Sequence, residues 1–202
     1  MKDLEHFLPI IEEELVAYIH AIRQTELQAA AEVIWKSQEQ GGRLHVTGIG
    51  KPGHVAGYIA SLISSTGTPA YFLHGTEAVH GSCGQLAAGD VVICISNSGE
   101  TSEMKATAVA IRNNGCFIIA VTGNADSWLA KYADAHIFAG VEREGGVLNR
   151  APRASILAET LALQALSVVL QEKRAITPQE YVLRHPGGKL GQIREGELGG
   201  QR

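Results

Sequence analysis

Short apolar runs recur along the chain at Leu44–Thr47, Ala70–Leu73, Val91–Ser96, Cys116–Thr122 and His136–Ala139. Their length and β-branched content predict strands. Between most of them, apolar residues return at helical spacing, which predicts helices over Gly53–Ser65, Ser102–Asn113, Ser127–Ala133 and Ser155–Glu172. The first 40 residues also read as helix, with a break near Arg23–Thr25. Leu15, Ile19 and Ile22, then Ala30, Val33 and Ile34, supply the i, i+3, i+4 apolar stripe there.

Strands alternating with helices imply a parallel sheet covered on both faces. The runs Val91–Ser96 and Cys116–Thr122 are apolar almost throughout, as strands buried on both sides are. The expected fold is α/β, a doubly wound five-stranded parallel sheet in the flavodoxin-like order 2-1-3-4-5, flanked by helices. In that order strands 1 and 3 are neighbours whose connections leave toward opposite faces, and ligands bind at the carboxyl ends of such a pair. The loops after Thr47 and after Ile95 are therefore where a site belongs. The organisation expected is an N-terminal helical segment over residues 1–40 packed on a domain over 41–195, with a tail over 196–202.

Composition narrows the classes. The chain has 202 residues, of which 45% are hydrophobic and 19% charged, which suits one globular α/β domain. Its net charge of −4 argues against a nucleic-acid partner, which requires a basic face. No unbroken run of 18 apolar residues occurs, so no membrane partner is expected. The apolar start is interrupted by Pro9 and followed by Glu12–Glu14, which is wrong for a signal peptide. Cys94 and Cys116 lie inside apolar runs and read as buried thiols, and Cys83 leaves the number odd. A reducing, cytoplasmic location follows as the expectation.

The loop after strand 1 reads Gly48-Ile49-Gly50-Lys51-Pro52-Gly53-His54. It fits G-x-G-x-x-G formally. A dinucleotide reading also needs an acid at the end of strand 2, where Leu73-His74-Gly75 stands instead. The Walker pattern fails too, since His45 and Pro52 occupy its required positions. Lys51 sits at the mouth of the expected crevice; the plain alternative is a solvated turn lysine. The loop after strand 3 reads Ser96-Asn97-Ser98-Gly99-Glu100-Thr101-Ser102, then Glu103. A strand, a hydroxyl-rich turn and a helix start together make an anion cradle, suited to the phosphate of a small metabolite. An ordinary cap would need one hydroxyl; four crowd this turn.

Taken in order, GIGKPGH, STGTPAYFLHGTEAVHG, ISNSGETSE and LRHPGGKLG resemble the sugar isomerase (SIS) domain family, and within it the arabinose 5-phosphate isomerases. The resemblance runs from about Arg43 to Gly191. It implies a five-stranded parallel sheet, a homotetramer and no cofactor. It implies interconversion of D-arabinose 5-phosphate and D-ribulose 5-phosphate, the first step toward the lipopolysaccharide sugar Kdo. Longer members add two CBS modules, so this chain resembles the short single-domain form. By resemblance, Lys51, Glu103, Glu144 and His185 match catalytic positions. Gly50, His74, His80 and Ser96, Asn97, Ser98, Gly99, Glu100, Thr101 and Ser102 match substrate-binding ones. Where relatives read Ala-Pro-Thr-Ser-Ser-Thr, this chain has Ala151-Pro152-Arg153-Ala154-Ser155-Ile156. That adds a cation and removes a hydroxyl beside the sugar site, and leaves the particular sugar open.

Aldose–ketose isomerisation opens the ring and moves a proton between C1 and C2 through an enediol. It needs a base with a pKa near the working pH and a cation or strong donors at the enediolate oxygen. The base is a histidine, His80 or His185, or a glutamate, Glu103 or Glu144. The preferred assignment makes His185 the shuttle, with Glu144 and Glu103 serving ring opening and Lys51 the charge. Each has a plain alternative: a turn brace for His185, a capping residue for Glu103, a solvated acid for Glu144, a packing histidine for His80. His74 and His80 are six apart in an irregular loop, so no metal is required and any zinc at His74 is adventitious. The expected partners are a small sugar phosphate and other copies of the chain, with a histidine shared between subunits. The alternatives are an isomerase of another sugar phosphate or a non-catalytic sugar-phosphate sensor.

Overall fold

The computed structural model describes residues 2–194, 196 and 197; the rest of the expected tail, 198–202, lies outside the described residues. Helices α1 (Lys2–Ala21) and α2 (Gln24–Glu39) precede β1 (Leu44–Gly48), α3 (Lys51–Ser65), β2 (Ala70–Phe72) and the single turn α4 (Gly75–Ala78). Then come β3 (Val91–Ile95), α5 (Ser102–Asn113), β4 (Phe117–Thr122), α6 (Trp128–Tyr132) and β5 (Ala135–Phe138). The chain continues into α7 (Ala154–Arg174) and α8 (Pro178–Arg184), with 3₁₀ turns at Ser82–Gln85 and Lys189–Gly191. The strands pair in parallel in the order β2-β1-β3-β4-β5, which is the expected winding. The helical break falls at Ile22–Arg23.

Alternation along β3 and β4 explains why both read as continuous apolar runs. Val91, Ile93 and Ile95, with Ile119 and Val121, face a core built with α1, α2, α3 and α7. Val92 and Cys94, with Ile118 and Ala120, face a second core built with α5 and α6. Each strand thus has no solvent face to give to polar residues. The three cysteines are free and buried. Burial pushes the Cys94 thiol up to about 12 and the Cys116 thiol up to about 11.

Helix α7 has the length and mean hydropathy, 1.5, of a membrane span. A search for an unbroken apolar run misses it, because Glu159, Thr160 and Gln164 interrupt the pattern. Half of its most apolar window is buried, and the helix packs on α3, α2 and α1.

At the amino ends of β1 and β3, Asp90 ties the sheet to its loops. Its carboxylate accepts from the Arg43 N–H at 2.8 Å, the Arg43 Nη2 at 2.9 Å and the Ala87 N–H at 2.9 Å. His45 Nε2 stands 3.2 Å away. Burial alone would raise the Asp90 carboxyl, but these donors outweigh it and hold the group below its ordinary value. The His45 ring is pushed down, toward its neutral form, by burial against the opposing pull of Asp90; it then donates from Nε2 to the carboxylate. A depressed carboxyl stabilises the fold above about pH 4, and that contribution is lost as pH falls through the lowered value. Asp90→Ala is therefore expected to cost about 3–5 kcal/mol at pH 7, because it strands buried donors. In urea denaturation the gap from the wild type narrows below about pH 4; a gap independent of pH would contradict this account.

Candidate functional site

The register of β1 on β3, Leu44 beside Val91 through Gly48 beside Ile95, ends both strands at one level. From there α3 turns into the first core and α5 into the second. A crevice opens between the two departing chains, as the topology requires. The turn after β1 is tight. A Cβ on Gly48 would lie 2.6 Å from the Pro52 carbonyl carbon, and one on Gly53 would lie 2.9 Å from the Gly48 oxygen. The glycines of this loop serve close strand–helix packing, and Gly50 supplies a positive φ of 66°.

The crevice encloses a cleft of about 310 Å³. One wall is the two loops, with Ile49 and Pro52 from the first and Ser96, Asn97, Ser98 and Thr101 from the second. The other wall is the β5–α7 connection and the first turns of α7, with Glu144, Arg150, Pro152, Ser155, Ile156 and Glu159.

The phosphate-cradle expectation rests on how α5 begins. Thr101 is its N-cap residue, yet its side chain makes no capping hydrogen bond. The hydroxyl lies 3.5 Å from Ser96 Oγ and lines the cleft instead. The first N–H groups of a helix have no partner within it, and its dipole favours an anion there. Gly99 makes the turn possible, with φ of 64° and a position where a Cβ would collide with Ser127. Helix α3 begins likewise without a side-chain cap, at Gly50. Lys51 is its first residue; it is exposed and does not itself line the cleft.

Other expected residues stand elsewhere. Glu100 does not line the cleft. Its carboxylate accepts from Lys105 Nζ and, at 2.7 Å, from the Trp128 N–H, tying the loop to α6. Those bonds hold it below the ordinary carboxylate range. Glu103 is exposed, and its carboxylate accepts from its own N–H and from Ser102 Oγ, which lowers its pKa. His80 is exposed and outside the cleft lining. His74 caps α4, its Nδ1 accepting from the Glu77 N–H. It lines a neighbouring hollow of about 410 Å³ with His54, Gly50 and Phe72. Among the described residues no three His, Cys, Asp or Glu side chains gather as a metal set.

Glu144 is half-buried rather than solvated. Its Oε2 accepts from the N–H groups of Arg153 at 2.6 Å and Ser155 at 3.1 Å, so it satisfies the start of α7 from the cleft side. The loop carrying it is fixed by α1. Glu14 accepts from the Glu142 N–H at 2.8 Å and from Arg143 Nε at 2.6 Å. Arg153, expected to add a cation beside the sugar site, turns the other way. Its guanidinium lies 5.8 Å over the Phe7 ring of α1. The cation lining the cleft is Arg150.

His185 lies far from the cleft within one protomer. It ends α8, stacked on Tyr181 at 4.0 Å with Nδ1 2.9 Å from the Tyr181 oxygen. Neighbouring Arg184 shares a hollow with Ser61, Ser65 and Pro69, at the end of α3 and just before β2 begins. That is the end of the sheet opposite the strand carboxyl ends.

Arg150 and Glu159 escaped sequence reasoning. The legible signal for Glu159 was its place as the lone carboxylate in the apolar first half of α7. It is 0% exposed, and neither oxygen has a hydrogen-bond partner. Burial, with the Glu144 charge behind it, pushes its carboxyl up to about 8. Nothing local in the sequence distinguishes Arg150 from any loop arginine.

Comparison with known proteins agrees with this architecture. The chain is 42% identical over 150 residues to the arabinose 5-phosphate isomerase KdsD of Pseudomonas aeruginosa, covering 74% of this chain and 46% of that protein. It is 38% identical over 182 residues to KdsD of Escherichia coli K12, covering 90% and 54%. The chain thus spans about half the length of these curated relatives. Among solved structures, the c3406 protein of E. coli CFT073, in complex with arabinose 5-phosphate, superposes with a TM-score of 0.79 at 34% identity, covering 92% of this chain and 98% of that one. The SIS domain model matches residues 38–169, which include all five strands and both loops of the crevice. The chain belongs to the SIS domain family.

Proposed function

We propose that this protein is a sugar-phosphate isomerase that interconverts D-arabinose 5-phosphate and D-ribulose 5-phosphate through an enediol, the reaction that leads toward Kdo. The observation that carries this reading is the start of α5, where a helix N-terminus is left uncapped while Ser96, Ser98 and Thr101 line the cleft in front of it. A phosphate seated there would receive the first N–H groups of the helix and these hydroxyls. Resemblance to KdsD supplies the rest of the reading.

On this reading the phosphate occupies the β3–α5 loop and the sugar carbons extend toward α7. Lys51, the first residue of α3, is the candidate to stabilise the enediolate oxygen, although it is not among the residues lining the cleft. The base is the open element. Glu144 is engaged by two N–H groups, and Glu103 stands outside the cleft with a lowered pKa. His185 could act only if a second copy delivered it. Large apolar side chains are exposed at both places such a contact would join: Val147 and Leu148 beside the cleft, 79% and 77% exposed, and Leu183 beside His185, 79% exposed. A homotetramer with shared sites accommodates this.

One observation favours a second reading, a sensor that binds without turnover: among the described residues no imidazole lines the cleft of a single protomer. A coupled assay of D-arabinose 5-phosphate isomerisation, run with and without chelator, separates the two. Turnover that survives chelation is expected. Stabilisation by the pentose phosphate without turnover would instead establish the sensor.

Removing a positioned base lowers rate by about 10²–10⁴-fold, so His185→Ala is expected to lose activity on that scale. Undiminished turnover in that variant would remove His185 from the mechanism. Mixing inactive Lys51→Ala and His185→Ala subunits should regenerate activity, because some sites in the mixed oligomer draw both intact residues from different chains. Mixtures as inactive as their components, or a fully active monomer in gel filtration, would exclude a shared site.

A further inference from the structure

Three buried acids can be compared. Asp90 receives donors from Arg43 and Ala87, and Glu14 receives donors from Glu142 and Arg143. Glu159 is buried as deeply, and both of its oxygens are unpartnered. Four residues before it, Ser155 is also 0% exposed, and its Oγ is also unpartnered. An i, i+4 pair shares one helix face, and both residues line the cleft opposite the phosphate loop. Buried polar groups are almost always satisfied, and an orphan in a native fold calls for a partner from outside it. Two orphans on one face of one cleft specify where that partner sits.

We propose that Ser155 and Glu159 form the subsite that reads the hydroxyl-bearing carbons of the sugar phosphate, with Glu159 a specificity-determining residue. This deepens the sugar-phosphate reading and rests on it.

The unpartnered polar groups assign the sugar end, not the phosphate, to this wall. Glu144, Ser155 and Glu159 line the α7 side, where Arg150 is the one cation among the described residues that line the cleft, and Ser155 and Glu159 have polar atoms without partners. The uncapped helix lies across from them. Glu144 does not satisfy Glu159: its Oε2 accepts from the Arg153 and Ser155 N–H groups, and neither Glu159 oxygen has a partner. Burial, with the Glu144 charge, keeps the Glu159 carboxyl protonated at neutral pH. A neutral carboxyl offers one donor and acceptor lone pairs, and so does the Ser155 hydroxyl. A polyol chain offers the same groups in return. A cleft of about 310 Å³ is at the small end for ligand sites and suits a short phosphorylated chain.

The test is paired titration calorimetry of the full chain with D-arabinose 5-phosphate and with inorganic phosphate, on the wild type, Glu159→Ala, Glu159→Gln and Ser155→Ala. The wild type is expected to bind the sugar phosphate more tightly than inorganic phosphate. Glu159→Ala should weaken the sugar phosphate about tenfold or more and leave inorganic phosphate within about twofold. Glu159→Gln, which keeps a donor and an acceptor without charge, should stay within about threefold for both ligands. Ser155→Ala should fall between these and shift the same ratio. An unchanged ratio in Glu159→Ala and Ser155→Ala would overturn the proposal, as would parallel loss of both ligands, which marks a structural role. A wild type with no preference for the sugar phosphate overturns it equally. Wild-type turnover is measured separately: a protein that binds the sugar phosphate with the expected ratios but converts none would refute isomerisation and support this subsite.

Discussion

The parallel pairing of β1 with β3 is the constraint on which the site depends. Their in-register ends bring Gly48 beside Ile95, and the chain leaves these neighbours for opposite cores. Two helices therefore begin at one crevice, neither with a side-chain cap. The partial positive ends of α3 and α5 converge there without a capping bond from an N-cap side chain, and the acid at the start of α5, Glu103, is exposed and accepts from its own N–H. Glu100 could have capped one of them, but its bonds to Lys105 and the Trp128 N–H hold it away. The two uncapped helix starts are thus a consequence of sheet order and of where one acid is tied.

The two ends of the sheet divide the work. At the amino end, Asp90 gathers donors from Arg43 and Ala87, and its carboxylate is well satisfied. The unpartnered His45 Nδ1 and Thr68 Oγ1 near that end do not line the cleft, whereas at the carboxyl end the start of α5, Ser155 and Glu159 are left short of partners around it. Such groups lower stability, and folds retain them where a ligand completes them. The N-terminal helix belongs to this arrangement. Through Glu14 on Arg143 and Glu142, and Phe7 under Arg153, α1 fixes the connection that carries Glu144 and Arg150 to the cleft. Glu14, one of its acidic residues, is only 6% exposed.

The sheet was legible because its signal is local. Strands buried on both faces must be apolar at nearly every position, and β3 and β4 are. The hydroxyl-rich loop that lines the cleft was legible for the same reason, since one turn holds Ser96, Ser98 and Thr101. Residues whose roles depend on distant contacts were not. Arg153 looked like a cation for the site, but Phe7, far away in sequence, takes it. Glu144 looked like a loop acid until the start of α7 was placed against it. Arg150 and Glu159 reach the cleft only through the path of the β5–α7 connection, which carries no periodic pattern. Helix α8 had a readable signal, the Thr177–Glu180 capping box over a first-turn proline, but not its placement at the far end of the sheet.

That placement bears on how the proposed reaction would be organised. Within one protomer the cleft has the uncapped start of α5 on one side and a polar wall on the other, and no imidazole among the described residues lines it. Glu144 is held by two N–H groups, and Glu159 is 0% exposed at the side of the cleft. An efficient base needs a pKa near the working pH and reach to the carbon-bound proton. On the proposed reading, His185 reaches the cleft only through another copy of the chain. The exposed Leu183 beside it and Val147 and Leu148 beside the cleft would then be covered by the same contact. Binding determinants would reside in each protomer and the proton shuttle between protomers, so assembly would govern turnover while leaving affinity for the phosphate largely intact.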